Sequence, residues 1–368
     1  MSYGPVVTVR RDRLFEDGLR GLGALPAEAL RGRVRIQFVS ALGAPEAGVD
    51  GGGLFKDFLD DLVRGAFDPS LGLWRETEDH ALYPDPAGAA RDPEHLVKLR
   101  FQGAVLGKAL REGILAELPL AAFFLARLRG DALGLDDLAS MDARLHRSLL
   151  QLKRFEGDHA ALCLSFTVAR DADGAEVPLM PRGAETAVTA DNKRAYIQLV
   201  AHFKLVAQLR QQVDAFLAGF HALVRPSWVR MFAPGELGQL IGGSREGLSV
   251  PDLRRWAVYS GGFYEEHPTV LLLWQALEEL QPQQQAAFLK FVTAVSRPPL
   301  LGFRALEPRF CVHRAGVAAS DAPDESADTE RLPTAATCMV RCSLRRAVAW
   351  RAVRLTRLTL TRPVRHRA

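Results

Sequence analysis

The sequence predicts an α+β protein with two domains, a larger one that is mainly helical and a smaller one that combines helices with short strands. The chain has 368 residues, and a domain usually takes roughly 100–200 residues. Hydrophobic residues recur at helical spacing through most of the first two-thirds of the chain. A glycine-rich segment at residues 241–247 then separates this part from a new helix start, and short strand-like stretches follow near Phe310 and Val312.

Composition and charge exclude several classes of protein. Hydrophobic residues make up 48% of the chain and charged residues 24%, as in ordinary globular proteins, so extensive disorder is excluded. No apolar run reaches the roughly 18–20 residues that cross a bilayer. The first charged residues are not followed by the apolar core of a secretory signal. The sequence therefore predicts no membrane partner and a location in the cytoplasm or the nucleus.

The first predicted elements are a strand and a helix separated by glycines. Residues 34–39 alternate between apolar and polar side chains, as a short strand requires. From Leu54 to Leu62, hydrophobic residues recur at intervals of three and four, which predicts a helix after the glycines of 48–53. These glycines could cradle a phosphate, but the lysine and the serine or threonine of a P-loop are missing. A tight turn is the favoured interpretation.

Residues 96–128 carry a helical pattern that Pro119 divides. We expect Pro119 to lie in the first turn of the second helix, where its missing N–H costs little. Gly103 and Gly107 in the first helix would let another element approach closely. This region is therefore predicted to belong to the core of the larger domain.

A β-hairpin is predicted between residues 162 and 180. Two alternating stretches flank the Asp173-Gly174 dipeptide, a strong turn signal. Cys163 lies in the first stretch and is expected to be buried as a small apolar side chain. We expect this hairpin to be the only clear strand pair of the helical part.

A long helix should follow, with Thr189 or Asp191 as its cap and apolar side chains from Tyr196 to Phe216. After the glycine-rich segment, helical patterns occupy residues 252–257, 269–280 and 283–295. Residues 318–330 are acidic, small and polar, which is typical of a solvated loop.

Most side chains capable of catalysis are scattered along the chain. The 9 histidines show no metal-ligand spacing, no GxSxG nucleophile motif occurs, and the 4 cysteines lack the spacing of a zinc site. The sequence thus predicts no cofactor and no metal. Carboxylate pairs are adjacent in sequence and are expected on the surface.

Cys338 differs from the other cysteines in its surroundings. It follows the polar segment 331–337, which contains a proline, and arginines stand on both sides of it. Positive charge favours the thiolate, the form that acts as a nucleophile. Two interpretations remain at this point, a reactive nucleophile and an ordinary exposed cysteine. Cys311, next to Phe310, is expected to be buried.

Several segments of the chain resemble, in the right order, the catalytic domain of HECT-type ubiquitin-protein ligases. They include GVDGGGLFKDFL, VTADNKRAYIQLVAHFKL and LPTAATC, and lie at residues 37–59, 99–130, 136–153, 188–205, 252–263, 291–303 and 332–338. The resemblance implies a bilobal HECT fold, with a large helical N-lobe and a smaller α/β C-lobe joined by a flexible hinge.

The resemblance also implies domain boundaries. Residues 1–33 form an N-terminal extension, 34–244 the N-lobe and 250–368 the C-lobe. Between the lobes lies a hinge at 245–249, formed by Arg245, Glu246, Gly247, Leu248 and Ser249. A subdomain near residues 135–200 is expected to dock a ubiquitin-conjugating enzyme. Tyr196 matches an aromatic docking position of the family, and its alternative role is that of a core residue of the long helix.

The resemblance makes Cys338 the nucleophile, supported by a turn containing Leu332, Pro333, Thr334 and Thr337. Cys338 would accept ubiquitin as a thioester from the conjugating enzyme and pass it to substrate lysines. Backbone amides or Thr337 could stabilise the oxyanion. The implied partners are ubiquitin, the conjugating enzyme and protein substrates. The alternative is a module that docks the conjugating enzyme without transferring ubiquitin.

The chain departs from the family pattern around and after Cys338. Ala336 replaces a histidine, Ala294 replaces a glycine, and the likeness is expected to end at Cys338. Residues 339–368 hold nine arginines and no acid, so the rest of the chain has a net charge of −5.

Three interpretations fit this Arg-rich end. It could be an arm for an anionic surface, although few aromatic residues accompany the arginines and nucleic acid is therefore disfavoured. It could also be a divergent native ending. The third interpretation is an altered reading frame, consistent with 40 arginines against 7 lysines. In that case the C-lobe would lack the strand and helix that cover its core.

Overall fold

A computed structural model describes residues 4–40, 44, 53–244, 247–293, 295–314, 333–336 and 340–344. Helices and strands both occur throughout these ranges, which confirms the predicted α+β class. The α-helices are α1 (Leu14–Gly21), α2 (Ala27–Arg31), α3 (Gly53–Ala66), α4 (Gly88–Arg91), α5 (His95–Arg111), α6 (Ala122–Arg129), α7 (Ala143–Arg154), α8 (Lys193–His202), α9 (Arg210–Leu223), α10 (Pro226–Val229), α11 (Pro234–Gly242), α12 (Val250–Trp256), α13 (Pro268–Glu279) and α14 (Pro282–Thr293). The strands are β1 (Val6–Arg10), β2 (Arg35–Val39), β3 (Trp74–Glu76), β4 (Leu82–Pro84), β5 (Thr167–Ala169), β6 (Glu176–Pro178), β7 (Val258–Ser260), β8 (Cys311–Arg314), β9 (Thr334–Ala336) and β10 (Arg341–Leu344).

Contacts divide the chain into two compact units. The first, called the helical unit below, comprises Met1–Val34 and Asp61–Ile241, and the second unit comprises Arg35–Asp60 and Gly242–Ala368. The lobe limits at 34–244 and 250–368 and the hinge at 245–249 remain sequence-based predictions. Within the described residues, no helix is both long enough and apolar enough to span a membrane.

The helical unit is organised around the pair α5 and α9, as the glycines of α5 predicted. A Cβ atom on Gly103 would lie 2.0 Å from the carbonyl oxygen of Phe216. On the other helix, α9, a Cβ atom on Gly219 would lie 1.8 Å from the carbonyl oxygen of Arg100 in α5. Both distances are far shorter than any van der Waals contact, so only glycine allows the two backbones to pack this closely.

A buried aromatic cluster lies beside this helix pair. The ring of Trp74 packs against Phe124 and Phe216 with centroid distances of 5.4 and 5.6 Å and nearly perpendicular planes. Its indole N–H donates to the side-chain oxygen of Gln102 at 2.9 Å, and the Gln102 amide donates to the carbonyl of Ala66. The buried polar groups are thus paired, which is the condition for burying them at low cost.

The predicted hairpin is present, but it is not the only strand pair of this part of the chain. β5 and β6 pair antiparallel and Gly174 has a φ of 70°, as the Asp-Gly turn requires. β3 and β4 also pair antiparallel, so the expectation of a single hairpin is wrong. Cys163 is also not in a strand. It is exposed and has a φ of 49°, because it ends a short 3-10 helix at Ala160–Leu162.

Two helix predictions require correction. Pro119 does not begin α6; it precedes the helix, and its carbonyl accepts a hydrogen bond from the N–H of Leu82 at 2.6 Å. The long helix after the hairpin is interrupted by a π-helical segment at Phe203–Ala207. Its N-cap is Asn192, rather than Thr189 or Asp191.

The second unit contains a hydrophobic core between three helices and a four-stranded sheet. The sheet has the order β7-β8-β10-β9, in which β8 pairs parallel with both β7 and β10, and β9 pairs antiparallel with β10. Helices α12, α13 and α14 agree with the predicted helical patterns. The largest buried side chains of this core are Trp274, Phe288 and Phe310.

Candidate active site

Cys338, Leu332 and Thr337 lie outside the described residues. The structure does describe the two strands on either side of Cys338 in the sequence. Ala336, the last residue of β9, pairs with Arg341, the first residue of β10. Three residues, 337–339, stand between Ala336 and Val340, so a short connection carries the candidate nucleophile.

Val340 anchors the end of this connection. It is buried, and its carbonyl accepts a hydrogen bond from the backbone N–H of Cys311 in β8 at 2.9 Å. Its φ of 44° is uncommon for a β-branched residue. Such a conformation costs free energy and persists only where surrounding contacts hold it. The second unit therefore fixes the backbone where it enters β10.

Of the four residues in the predicted supporting turn, Thr334 lies in a strand rather than in a turn. Thr334 is the first residue of β9 and pairs with Ser343, while Pro333 directly precedes the strand and is half-buried. Pairing with β10 explains the difference, because a ladder partner stabilises the extended backbone. The supporting role proposed for these residues stays a prediction.

The Arg-rich end contributes a strand to the sheet. In β10, Cys342 and Leu344 are 0% and 1% exposed and belong to the hydrophobic core, whereas Arg341 and Ser343 point to the other face and are half-buried. The expectation that an altered ending would leave the C-lobe without its covering strand is wrong for Arg341–Leu344. Residues 345–368 lie outside the described part of the chain.

The three other cysteines differ sharply in exposure. Cys342 is fully buried, and this burial raises the pKa of its thiol to about 12. Cys163 is exposed, and Cys311 is half-buried rather than buried as predicted. Thiols react as thiolates, so burial and the raised pKa of its thiol both disfavour Cys342 as a nucleophile at neutral pH in the folded protein.

This difference predicts a labelling order. At pH 7 we expect N-ethylmaleimide to label Cys163 in the folded protein, while Cys342 stays unlabelled until the chain is unfolded. Cys342 is protected because it is buried and because pH 7 lies far below its raised pKa. Peptide mapping after timed labelling measures both rates. Equal rates for Cys163 and Cys342 would contradict the buried position of β10.

A polar cluster that was not predicted from the sequence lies on the outer face of the sheet. The hydroxyl of Ser260 in β7 lies 2.9 Å from Nδ1 of His313 and 3.2 Å from the sulfur of Cys311, both in β8. Cys311 and His313 alternate along one strand and therefore share a face. That spacing is visible in the sequence, but the parallel pairing with distant Ser260 is not.

The predicted docking residue Tyr196 lies inside the helical unit. It is 9% exposed, its ring packs on Phe166 with a centroid distance of 5.5 Å, and burial raises the pKa of its hydroxyl. These contacts support the core alternative for Tyr196. In the predicted docking segment, residues 135–200, the large hydrophobic side chains exposed by more than a third are Leu162 and Met180, each 38% exposed.

The predicted hinge is described in part. Arg245 and Glu246 lie outside the described residues. Gly247 is exposed, and a Cβ atom there would have no neighbour within 4 Å. Leu248 packs against the core of the second unit, and the Ser249 hydroxyl accepts a hydrogen bond from the N–H of Asp252 at the start of α12. Packing against the hydrophobic core of the second unit therefore occurs at Leu248, directly after the exposed Gly247.

Among the residues that the structure describes, no group of three or more histidine, cysteine, aspartate or glutamate side chains could hold a metal ion. The Cys338 connection and the docking segment remain the candidate sites that the family resemblance implies.

A match to a known protein family gives the class of this chain. Residues 60–346 match the HECT-domain (ubiquitin-transferase) family, and the chain belongs to that family. The matched range continues past Cys338 and includes β10, so the likeness does not end at Cys338 as the sequence pattern indicated.

Similar proteins in other organisms are named ubiquitin-protein ligases. The chain is 44% identical over 333 residues to the E3 ubiquitin-protein ligase UPL6 of Arabidopsis thaliana, covering 90% of this chain and 32% of that protein. It is 38% identical over 358 residues to the ubiquitin-protein ligase E3B of Homo sapiens, covering 90% of this chain and 33% of that protein. The chain thus spans about a third of the length of these curated relatives.

Proposed function

We propose that this chain is the catalytic part of a ubiquitin-protein ligase, which accepts ubiquitin on Cys338 and transfers it to substrate lysines. The observation that carries the proposal is the match to the HECT family over residues 60–346, a range that contains Cys338. The relatives named as ubiquitin-protein ligases support the same function. The predicted location in the cytoplasm or the nucleus stays a prediction.

The proposed reaction has two acyl-transfer steps. The Cys338 thiolate attacks the thioester between ubiquitin and the conjugating enzyme; a new carbon–sulfur bond forms and the thiolate of the conjugating enzyme leaves. A neutral substrate amine then attacks the Cys338 thioester, forms an amide, releases the Cys338 thiolate and loses a proton to solvent. The first step exchanges one thioester for another, so positioning rather than a strong acid or base controls it. The chemistry requires no cofactor.

Positive charge near the connection favours the thiolate, which is the nucleophile of the first step and the leaving group of the second. Arg341 begins β10 directly after Val340, and its buried Nε has no hydrogen-bond partner among the described residues. A positive charge close to a thiol stabilises its deprotonated form. Arg341 therefore supports a nucleophilic role for the neighbouring connection.

Reconstitution tests this proposal. The chain is incubated with ubiquitin-activating enzyme, conjugating enzyme, ATP and ubiquitin, and the products are separated with and without reductant. We expect an adduct of the chain with ubiquitin that reductant removes. No adduct despite measurable binding of the conjugating enzyme would favour the alternative module, which docks that enzyme without transfer.

Docking by residues 135–200 gives a second prediction. Changing Met180 to aspartate should weaken binding of the conjugating enzyme about tenfold, because a charge replaces an exposed apolar contact of the docking segment. Leu162→Asp should have the same effect. Val97→Asp is the matched control, because Val97 is 59% exposed but lies on α5, outside the segment. Titration of a labelled conjugating enzyme measures all three, and equal losses in all variants would count against a docking role.

The proposed hinge gives a third prediction. Gly247→Pro should slow ubiquitin transfer severalfold while leaving docking unchanged, because proline fixes φ and restricts the residue before it. Gly247→Ala should transfer at nearly the wild-type rate, since the added Cβ meets nothing. Single-turnover transfer from a preloaded conjugating enzyme separates these variants. Unchanged transfer by Gly247→Pro would show that motion at this residue is not required.

A further inference from the structure

A small cleft of about 240 Å³ lies at the C-terminal end of α9 in the helical unit. Its floor is the buried side chain of Leu223, and Trp228 at its edge is 46% exposed. The remaining lining residues are three exposed arginines, Arg31, Arg111 and Arg225.

Two of these arginines cap α9 but keep donors free. Arg31 donates through Nε and Nη2 to the carbonyl of Ala222 at 3.1 and 2.6 Å, and Arg111 donates through Nη1 to the carbonyl of Leu223 at 3.4 Å. These bonds satisfy the last carbonyls of the helix. A guanidinium has five N–H donors, so most of them remain available. The guanidinium of Arg225 donates to no protein group within the described ranges.

The described part of the protein does not neutralise the positive charge of the cleft. None of its three arginines forms an ion pair with an acid among the described residues, unlike Arg10, whose guanidinium lies 2.7 Å from the Asp17 carboxylate. The C-terminal end of a helix supplies only about half a negative charge. More than about two positive charges therefore remain around a small volume, and their mutual repulsion is relieved when an anion binds.

The size of this charge selects a class of anion. A phosphate monoester carries about −1.5 to −2 charges at neutral pH and three acceptor oxygens, whereas a carboxylate carries one charge. Guanidinium groups match phosphate oxygens with paired hydrogen bonds. The guanidinium of Arg225 lies over the Trp228 ring, 5.8 Å from its centroid. Trp228 is nevertheless 46% exposed, so the part of its ring that Arg225 does not cover can contact the ring of a ligand at the edge of the cleft.

We propose that this cleft binds a phosphate monoester carried on a ring, of the inositol phosphate type. The same group occurs on a soluble ligand and on a lipid headgroup. Isothermal titration of the full chain with inositol trisphosphate tests the soluble source. Co-sedimentation with phosphatidylcholine vesicles, with and without phosphatidylinositol bisphosphate, tests the lipid source.

Arg225→Gln is the decisive variant, because Arg225 supports no described protein contact except its cation–π pair and its loss should not disturb folding. We expect it to weaken binding at least tenfold. Arg210→Gln is the matched control, because it removes an equal charge from an exposed arginine at the other end of α9 and should change the affinity less than twofold. Circular dichroism confirms that both variants are folded.

Each result decides the proposal. The proposal is supported if binding depends on Arg225 but not on Arg210. Binding of inositol trisphosphate would then identify a soluble ligand, and binding of phosphoinositide vesicles alone would identify a lipid headgroup. No saturable binding of either probe would overturn it, as would equal losses in both variants. A glutamate-rich peptide that binds as tightly as inositol trisphosphate would also overturn it, since the cleft would then not select phosphate.

Discussion

Replacing Cys338 by alanine is expected to abolish the reductant-sensitive ubiquitin adduct while leaving binding of the conjugating enzyme unchanged. The substitution removes the sulfur that would form the thioester, and none of the three described cysteines, Cys163, Cys311 and Cys342, lies at the position that the family resemblance gives to the nucleophile. The adduct is measured on gels with and without reductant. This is the largest effect that the proposed mechanism predicts.

Cys163→Ala provides the matched control for this substitution. Cys163 is an exposed free thiol in the helical unit, so it tests whether any accessible cysteine can accept ubiquitin. The control should form the adduct at the wild-type rate. Loss of the adduct in Cys163→Ala, with retention in Cys338→Ala, would move the acceptor role to Cys163 and contradict the proposed mechanism.

Replacing Gly219 by alanine is expected to destabilise the helical unit by about 3 kcal/mol, at the upper end of typical overpacking effects. The new Cβ would lie 1.8 Å from the carbonyl oxygen of Arg100 and 2.9 Å from the backbone nitrogen of Ala104. Both neighbours are backbone atoms of α5, so relief requires the two helices to separate. Thermal unfolding followed by circular dichroism should show a loss of roughly 6–12 °C.

Gly65→Ala is the control for the Gly219 substitution. Gly65 is also helical, in α3, but a Cβ atom there meets nothing within 4 Å. Alanine should therefore stabilise the helix by about 0.5–1 kcal/mol, because it loses less backbone freedom on folding than glycine. Equal destabilisation by both substitutions would show that helix packing is not responsible for the effect at Gly219.

Local patterns in the sequence predicted most helices, together with the close packing of α5. Gly103 was recognised because a missing side chain in an apolar helix face permits a close neighbour. The interruption at Phe203–Ala207 was not predicted. Apolar side chains continue through the π-helical segment at near-helical spacing. The change in backbone hydrogen bonding therefore cannot be detected in the spacing of hydrophobic residues.

Strands were predicted less well, because their stability depends on partners distant in sequence. Cys163 lies in an alternating stretch, yet the chain turns there into the left-handed region. In β10, buried and half-buried side chains alternate, and Cys342 and Leu344 face the core. This short strand pattern was not recognised because the surrounding segment is rich in arginine. Parallel pairing with β8 stabilises this strand, and sequence spacing alone does not reveal that partner.

The two candidate sites also differ in how far the sequence could predict them. The sequence singled out Cys338 because charge and a proline-containing segment surround it, and the family resemblance assigned its role. By contrast, the arginine cleft brings together Arg31, Arg111 and Arg225, which are far apart in the chain. No local motif connects them, because α9 and its neighbours assemble the cleft only after packing.

The most direct test of the central claim is to locate ubiquitin on the loaded chain. Trypsin releases residues 332–341 as one peptide, in which Cys338 is the only cysteine. We predict that this peptide, released by brief digestion at mildly acidic pH, where trypsin still cleaves and thioesters hydrolyse slowly, carries the C-terminal glycylglycine remnant of ubiquitin and loses it on treatment with hydroxylamine. A remnant found instead on the peptide containing Cys163, or on no cysteine at all, would contradict the account.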